Sequence, residues 1–132
     1  QFKNRIEVHK HYGDLPLVSC HPSLINQVFT NLLMNAGQAV EGEGAIHITT
    51  FPEDGNAVIE VMDTGKGIEA DHLEKIFDPS FTTKDVGIGT GLGLSIVRQI
   101  IQDHQGIVEV ESDEGKGTTF RIKLPTYRTN KS

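Results

Sequence analysis

Asn31 and Asn35 lie four residues apart, a spacing that puts two side-chain amides on one side of a helix. An amide oxygen is a hard donor. It suits a Mg²⁺ ion, which keeps several waters and takes its remaining ligands from phosphates. Asp63 ends an apolar strand-like run and is followed by Gly65 and Gly67. A carboxylate placed there can accept a hydrogen bond from an exocyclic amine such as adenine N6. The two glycines let backbone lie close to a flat group. Gly87, Gly89, Gly91 and Gly93 alternate into a helical pattern. Free N–H groups and the positive end of the helix dipole then stand where a phosphate can sit. No Gly-Lys-Ser/Thr follows and no βαβ unit surrounds the run, so it is neither a Walker motif nor a dinucleotide fingerprint. Upstream of it, Phe77-Asp-Pro-Ser-Phe81 sets aromatics on either side of a Pro turn, as in a lid with apolar anchors, and Lys84 follows within reach of a phosphate.

Each signal alone has an ordinary structural explanation: a solvated amide pair, an Asp-Thr-Gly turn, a glycine hinge, a solvated lysine. Their specificity lies in their order and in the elements that carry them. Residues 5–9 alternate as a half-buried strand does, and 15–18 form a short extended piece. His21-Pro22 opens a helix over 22–40. Its Ile25, Val28, Phe29, Leu32, Leu33, Ala36 and Val40 make one apolar face, and Gln27, Asn31, Asn35 and Gln38 form a second stripe about 120° from that face's centre. Strands 45–51 and 57–62 flank a turn and form a hairpin that runs straight into Asp63. A short helix is expected near 69–76, a loop over about 77–90 of the length that functional lids have, and a helix over 91–104. A last hairpin pairs 107–111 with 118–124. The expected fold class is α+β: a two-layer α/β sandwich whose mixed, mostly antiparallel sheet of about five strands is covered on one face by about three helices.

The chain of 132 residues suits one domain with a core that needs no disulfide, and the single Cys20 fits a reducing compartment. Twelve basic and 18 acidic residues leave a formal charge of −6, which speaks against nucleic-acid binding. A polyanionic ligand would need a metal ion, a few placed cations or backbone N–H groups. Eight of the 14 glycines fall in three tight groups, 65/67, 87/89/91/93 and 115/117, which marks those segments as sharply turned or ligand-facing. No run of about 18 apolar residues is present and no leader-like segment opens the chain, so direct membrane contact is not expected. The start on Gln1 without Met reads as a fragment of a larger protein.

Taken together and in order, these segments resemble the histidine-kinase branch of the superfamily that also holds DNA gyrase, the ninety-kilodalton heat-shock chaperone and the MutL proteins. Asn31-Leu-Leu-Met-Asn35-Ala36 resembles the N box, Asp63-Thr-Gly-Lys-Gly67 the G1 box and Phe77-Asp-Pro-Ser-Phe81 the F box. Gly89-Thr-Gly-Leu-Gly93-Leu resembles the G2 box and Gly115-Lys-Gly-Thr-Thr-Phe120 the closing segment. The resemblance implies the Bergerat sandwich over residues 1–125, with a polar tail over 126–132 and an ATP lid over about 77–91. It implies ATP and Mg²⁺ as cofactors, with Asn35 on the metal and Asn31 near the phosphates. Asp63 would take the adenine amine, Gly65, Gly67 and Ile68 would line the base pocket, and Thr118 would reach the base through water. Phe77, Gly89, Thr90, Gly91, Leu92, Gly93 and Leu94 would complete the nucleotide site, the glycines as N–H donors. Catalytic roles would fall to Asn31 and Lys84. The implied partners are a histidine-bearing dimerisation domain and a response regulator, and the implied location is cytoplasmic, with a parent protein that can be membrane-anchored.

Two departures stand out. Where many family members carry a basic residue and then an aromatic, this chain has Gln38 and Ala39, which leaves Lys84 or Arg98 as the candidate cation. Asn31 stands where ATP-hydrolysing relatives carry a general-base Glu, and an amide has no basic lone pair. That favours transfer to a protein nucleophile over a hydrolytic clamp. The full F box and lid followed by the G2 box speak against an anti-sigma serine kinase of the same fold, and the Gln38-Ala39 change keeps a scaffolding pseudokinase as an alternative. Such kinases phosphorylate a His followed by an acidic residue. The six histidines here precede Lys10, Tyr12, Pro22, Ile48, Leu73 and Gln105, so the acceptor is expected elsewhere.

Overall fold

The computed structural model describes residues 5–13, 18, 20–78 and 91–126. Among the described residues five strands and three helices follow in the order β1 (Arg5–Tyr12), α1 (Pro22–Ala39), β2 (Glu43–Glu53), β3 (Asn56–Asp63), α2 (Ala70–Leu73), α3 (Gly91–Asp103), β4 (Ile107–Asp113) and β5 (Gly117–Pro125). They form one sheet in the order β1-β2-β3-β5-β4. β1 runs parallel to β2 and every other pairing is antiparallel. The mixed, mostly antiparallel α+β sandwich is therefore present. The expected strands are each longer in the structure, because ladder bonds continue past the apolar residues that mark them in sequence. The extended piece over 15–17 and the tail over 127–132 lie outside the described residues.

The alternation of each strand decides which face is covered. Ile46, Ile59, Val61, Phe120, Ile122 and Leu124 point to the helix layer and are buried. Val28, Leu32 and Ala36 of α1 and Leu94, Val97 and Ile101 of α3 close the core from above. The opposite face is polar. There the Arg121 guanidinium meets Glu60 at 2.7 Å and Glu109 at 3.3 Å, tying β3, β5 and β4 together. His9 and His47, paired across β1 and β2, stack with centroids 4.7 Å apart. Among the described residues no helix is long and apolar enough to cross a membrane.

The two long helices are fastened to each other by a histidine rather than by a capping side chain. His21 is the N-cap of α1 and makes no side-chain cap bond. Its backbone N–H donates to Nε2 of His104 at 3.1 Å, while Nδ1 of His104 lies 2.8 Å from the Ile100 carbonyl. A backbone N–H only donates and a carbonyl only accepts, so the two contacts are satisfied together by the tautomer with its proton on Nδ1. His104→Leu keeps the volume and removes both bonds. We expect it to lower unfolding free energy by about 1–2 kcal/mol, read as a reduced denaturant midpoint with unchanged circular dichroism.

Candidate functional site

The inward row of β3, which carries Ile59 and Val61, ends in Asp63, so the strand that fills the core also delivers a carboxylate to its edge. Asp63 is only 4% exposed. Its Oδ1 accepts the Gly65 N–H at 2.8 Å, and the Thr118 N–H from the paired strand also donates to it. Burial pushes its pKa up, and these two bonds only partly offset that rise. The carboxylate is thus held where water does not fully solvate it.

The loop after Asp63 is clamped from three sides. Lys66 N–H donates to the Ala39 carbonyl at the end of α1 (3.1 Å), and the Lys66 carbonyl accepts Gly115 N–H (2.6 Å) from the β4–β5 turn. Thr64 N–H donates to the Ala45 carbonyl (3.1 Å). The loop passes so close to α1 that a Cβ on Gly65 would lie 2.4 Å from the Ala39 oxygen. Gly67 has φ +75°, and a Cβ there would meet the Asp113 oxygen at 2.2 Å. The close approach these glycines permit is first of all to the protein's own backbone. Ser112 of β4 completes the clamp: its Oγ accepts Ile68 N–H (2.8 Å) and contacts the Gly117 carbonyl (2.8 Å) and Thr118 Oγ1 (2.9 Å).

Above this floor lies a narrow cleft of about 20 Å³, lined by Asn35, Ala39, Asp63, Lys66, Gly67, Ile68, Thr118 and Phe120. The helix amide and the strand-end carboxylate therefore open on one cavity. Asn35 is 8% exposed and Asn31 half-buried, so these two amides of the α1 stripe turn inward, whereas Gln27 and Gln38 at its ends are exposed. Asn31, one turn earlier, donates from Nδ2 to the Gly93 carbonyl at 3.3 Å and joins α1 to the first turn of α3.

Of the expected site residues, Asn35, Asp63, Gly67, Ile68 and Thr118 share the cleft. Gly65 packs behind it, against Ala39. Leu94 is fully buried in the core. Phe77 stands edge-on to Phe120 at 6.4 Å, with the Arg98 guanidinium 5.6 Å from its ring centre. Arg98 is thus engaged beside α3 and does not line the cleft. Gly91 and Leu92 are the first residues of α3. Lys84, Gly89, Thr90 and most of the 77–91 segment lie outside the described residues. Sequence reading missed Lys66, a cation on the cleft wall whose Nζ lies 3.7 Å from Glu41. Its place between the two loop glycines was the available signal. It also missed Ala39, Phe120 and Ser112, which carry no motif of their own beyond their position near one.

A divalent ion fits this site in one way. Among the described residues no group of three His, Cys, Asp or Glu side chains can hold a metal. An ion such as Mg²⁺ would take the Asn35 oxygen as a protein ligand and its other ligands from phosphates and water. An acceptor-rich floor of Asp63 and Thr118 suits an amine-bearing base.

A mixed sheet under a helix pair, with a cleft at the strand end of β3, defines the class as an ATPase-type α/β sandwich. The chain belongs to the histidine kinase-, DNA gyrase B-, and HSP90-like ATPase family, whose model matches residues 20–128, and it is the catalytic domain type of sensor histidine kinases. Sensor histidine kinase ZraS of Escherichia coli (strain K12) is 45% identical over 117 residues, covering 89% of this chain and 25% of that protein. Sporulation kinase E of Bacillus subtilis (strain 168) is 43% identical over 113 residues, covering 85% of this chain and 15% of that protein. The chain thus spans a quarter or less of these relatives' length. Among solved structures, the nucleotide-free catalytic domain of histidine kinase ThkA aligns with a TM-score of 0.80 at 37% identity, covering 92% of this chain and 79% of that one. Full-length ShkA in complex with AMPPNP aligns with a TM-score of 0.79 at 27% identity, covering 94% of this chain and 27% of that one.

Two outcomes test the geometry. A raised carboxylate pKa means that the folded state holds the proton more tightly than the unfolded chain. Asp63 therefore adds stability below its ordinary value of 3.8, and that contribution is lost as pH rises through its elevated folded value. Asp63→Asn removes the desolvated charge, so its stability relative to wild type should rise with pH through that window, as followed by denaturant melts at a series of pH values. Gly65→Ala forces the loop from α1 and is expected to cost about 1–3 kcal/mol in the same assay.

Proposed function

We propose that this chain binds Mg·ATP and donates the γ-phosphoryl group to a histidine on a separate dimerisation domain of a two-component sensor kinase. The observation that carries the reading is the shared cleft, in which the Asn35 amide and the Asp63 carboxylate face one cavity. Asp63 would accept from the adenine amine, Gly67 and Ile68 would flank the base, and Asn35 would hold the metal that accompanies the phosphates. Asn31 supports the first turn of α3 through Gly93, which keeps the N–H groups there oriented toward the phosphate side. The ShkA complex, a related fold with an ATP analogue, supports nucleotide as the ligand.

Transfer rather than hydrolysis is favoured by what the cleft lacks among its described lining. Asp63 is the only carboxylate there, it is engaged by two backbone N–H groups, and Asn31 cannot act as a base. Catalysis then rests on positioning and on charge stabilisation by metal, lid and helix N–H groups. In this reading residues 1–125 are the catalytic domain, about 77–91 the lid, with Lys84 and residues 89–94 on the phosphates, and 126–132 a tail. The phosphoacceptor domain, the response regulator and a cytoplasmic setting belong to the parent protein, with no role for nucleic acid or membrane in this domain.

Calorimetry with Mg·ATP tests the binding half. Wild type should bind, and Asp63→Asn should bind at least about tenfold more weakly through loss of a charged hydrogen bond. Equal affinities would remove the adenine assignment. For the transfer half, the chain alone with labelled ATP should form no phosphohistidine and release little phosphate. Adding a kinase dimerisation domain should produce acid-labile label on that domain. Fast turnover by the chain alone would place it with the hydrolytic members instead.

A further inference from the structure

We infer that Ser112, which does not line the cleft, is a positioning residue that sets the base preference of the site by fixing which way the Thr118 hydroxyl points its proton. The inference rests on the adenine-nucleotide reading above and extends it to a residue on β4.

The assignment follows from counting protons. Ser112 Oγ has three neighbours within hydrogen-bond distance: Ile68 N–H at 2.8 Å, the Gly117 carbonyl at 2.8 Å and Thr118 Oγ1 at 2.9 Å. The amide must donate to Ser112. The carbonyl has no proton, so the contact at 2.8 Å is favourable only if Ser112 donates to it. That uses the one proton Ser112 has. The remaining contact, oxygen to oxygen, then needs the proton of Thr118. Thr118 is 4% exposed and lines the cleft. With its proton turned back to Ser112, it offers the cleft lone pairs only.

This polarity is what separates a 6-amino from a 6-oxo purine. Asp63 does not make the distinction alone, because the amine of one base and the ring N1–H of the other can both donate to a carboxylate. The second feature of the base edge decides. In direct contact with the base edge, an acceptor-only Thr118 accepts from a 6-amine and faces a 6-carbonyl with lone pairs opposed. Discrimination of this kind is strong because the wrong ligand leaves buried polar groups unpaired.

The test compares Mg·ATP with Mg·ITP, which differs at the 6-position, by calorimetry on wild type, Ser112→Ala, Thr118→Val and the double variant. Wild type should prefer ATP. In Ser112→Ala the Thr118 proton is released to the cleft, and the ATP-to-ITP affinity ratio should fall about tenfold, chiefly through improved ITP binding. In the Thr118→Val background, adding Ser112→Ala should leave the ratio unchanged. Ser112→Thr, which keeps the hydroxyl, should restore the wild-type ratio. A merely structural role would weaken both nucleotides in parallel, and that result, or an unchanged ratio in a folded Ser112→Ala, overturns the inference. If melting curves show Ser112→Ala unfolded, Ser112→Cys, with a weak donor of similar size, carries the same readout. A wild type that binds nucleotide without preferring ATP overturns the adenine assignment and the inference together. A wild type that prefers ATP with a ratio insensitive to Ser112 overturns the inference alone.

Discussion

A carboxylate kept out of water organises this domain. Asp63 sits at the end of a core strand, 4% exposed, with two backbone N–H groups as its partners. Burying an ionisable group without a full partner is unfavourable, and a fold optimised for stability alone would place an apolar or neutral side chain there. The strain is local and stands where a ligand amine would relieve it. The fold thus keeps a poorly solvated acceptor at the wall of the cleft.

Everything next to that carboxylate is fastened so that it does not drift. The loop over 64–68 is bonded to the end of α1, to β2 and to the β4–β5 turn. Its glycines are small because α1 and the turn already occupy the space. Ser112 links the backbone of Ile68 to the hydroxyl of Thr118, so two segments that line the cleft share one oxygen atom. The helix layer is braced separately, through His104 to the start of α1 and through Asn31 to the start of α3. The His104 contact holds the start of α1, far from the cleft, whereas Asn31, in the middle of α1, holds the first turn of α3 one helical turn from Asn35.

Much of this was legible in the residues before any coordinates. The apolar period of α1 located it to within one residue of its observed end, and the alternation in β3 and β5 identified their inward faces, because burial imposes 3.6 and 2 residue periods directly on side-chain type. Asn35 was marked by its four-residue spacing from Asn31, Asp63 by its place between a strand and two glycines, and Thr118 only through the family resemblance; the structure brings the three to one cleft. Pairing order was not legible. Nothing in β1 announces that it lies parallel to β2, or that β5 inserts between β3 and β4. Ser112 was missed because a hydroxyl inside an alternating strand looks like any outward polar residue, and Lys66 because a lysine in a turn is usually solvated. Leu94 was grouped with the ligand residues by its neighbours in sequence, whereas its side chain fills the core.

The parallel pairing of β1 has a mechanical consequence. Eight residues from Arg5 to Tyr12 match Glu43 to Thr50 one to one. A tug along the strand axis would load that whole ladder in shear, whereas a hairpin can be peeled apart bond by bond. Slippage has no small steps either: a one-residue shift would turn Ile6 outward and bring Glu7 or His9 toward the core. β2 passes the load to β3, where Ile46 lies directly opposite Asp63. The outermost strand behaves as a stiff, notched rod that reaches the buried Asp63 carboxylate in two lateral steps.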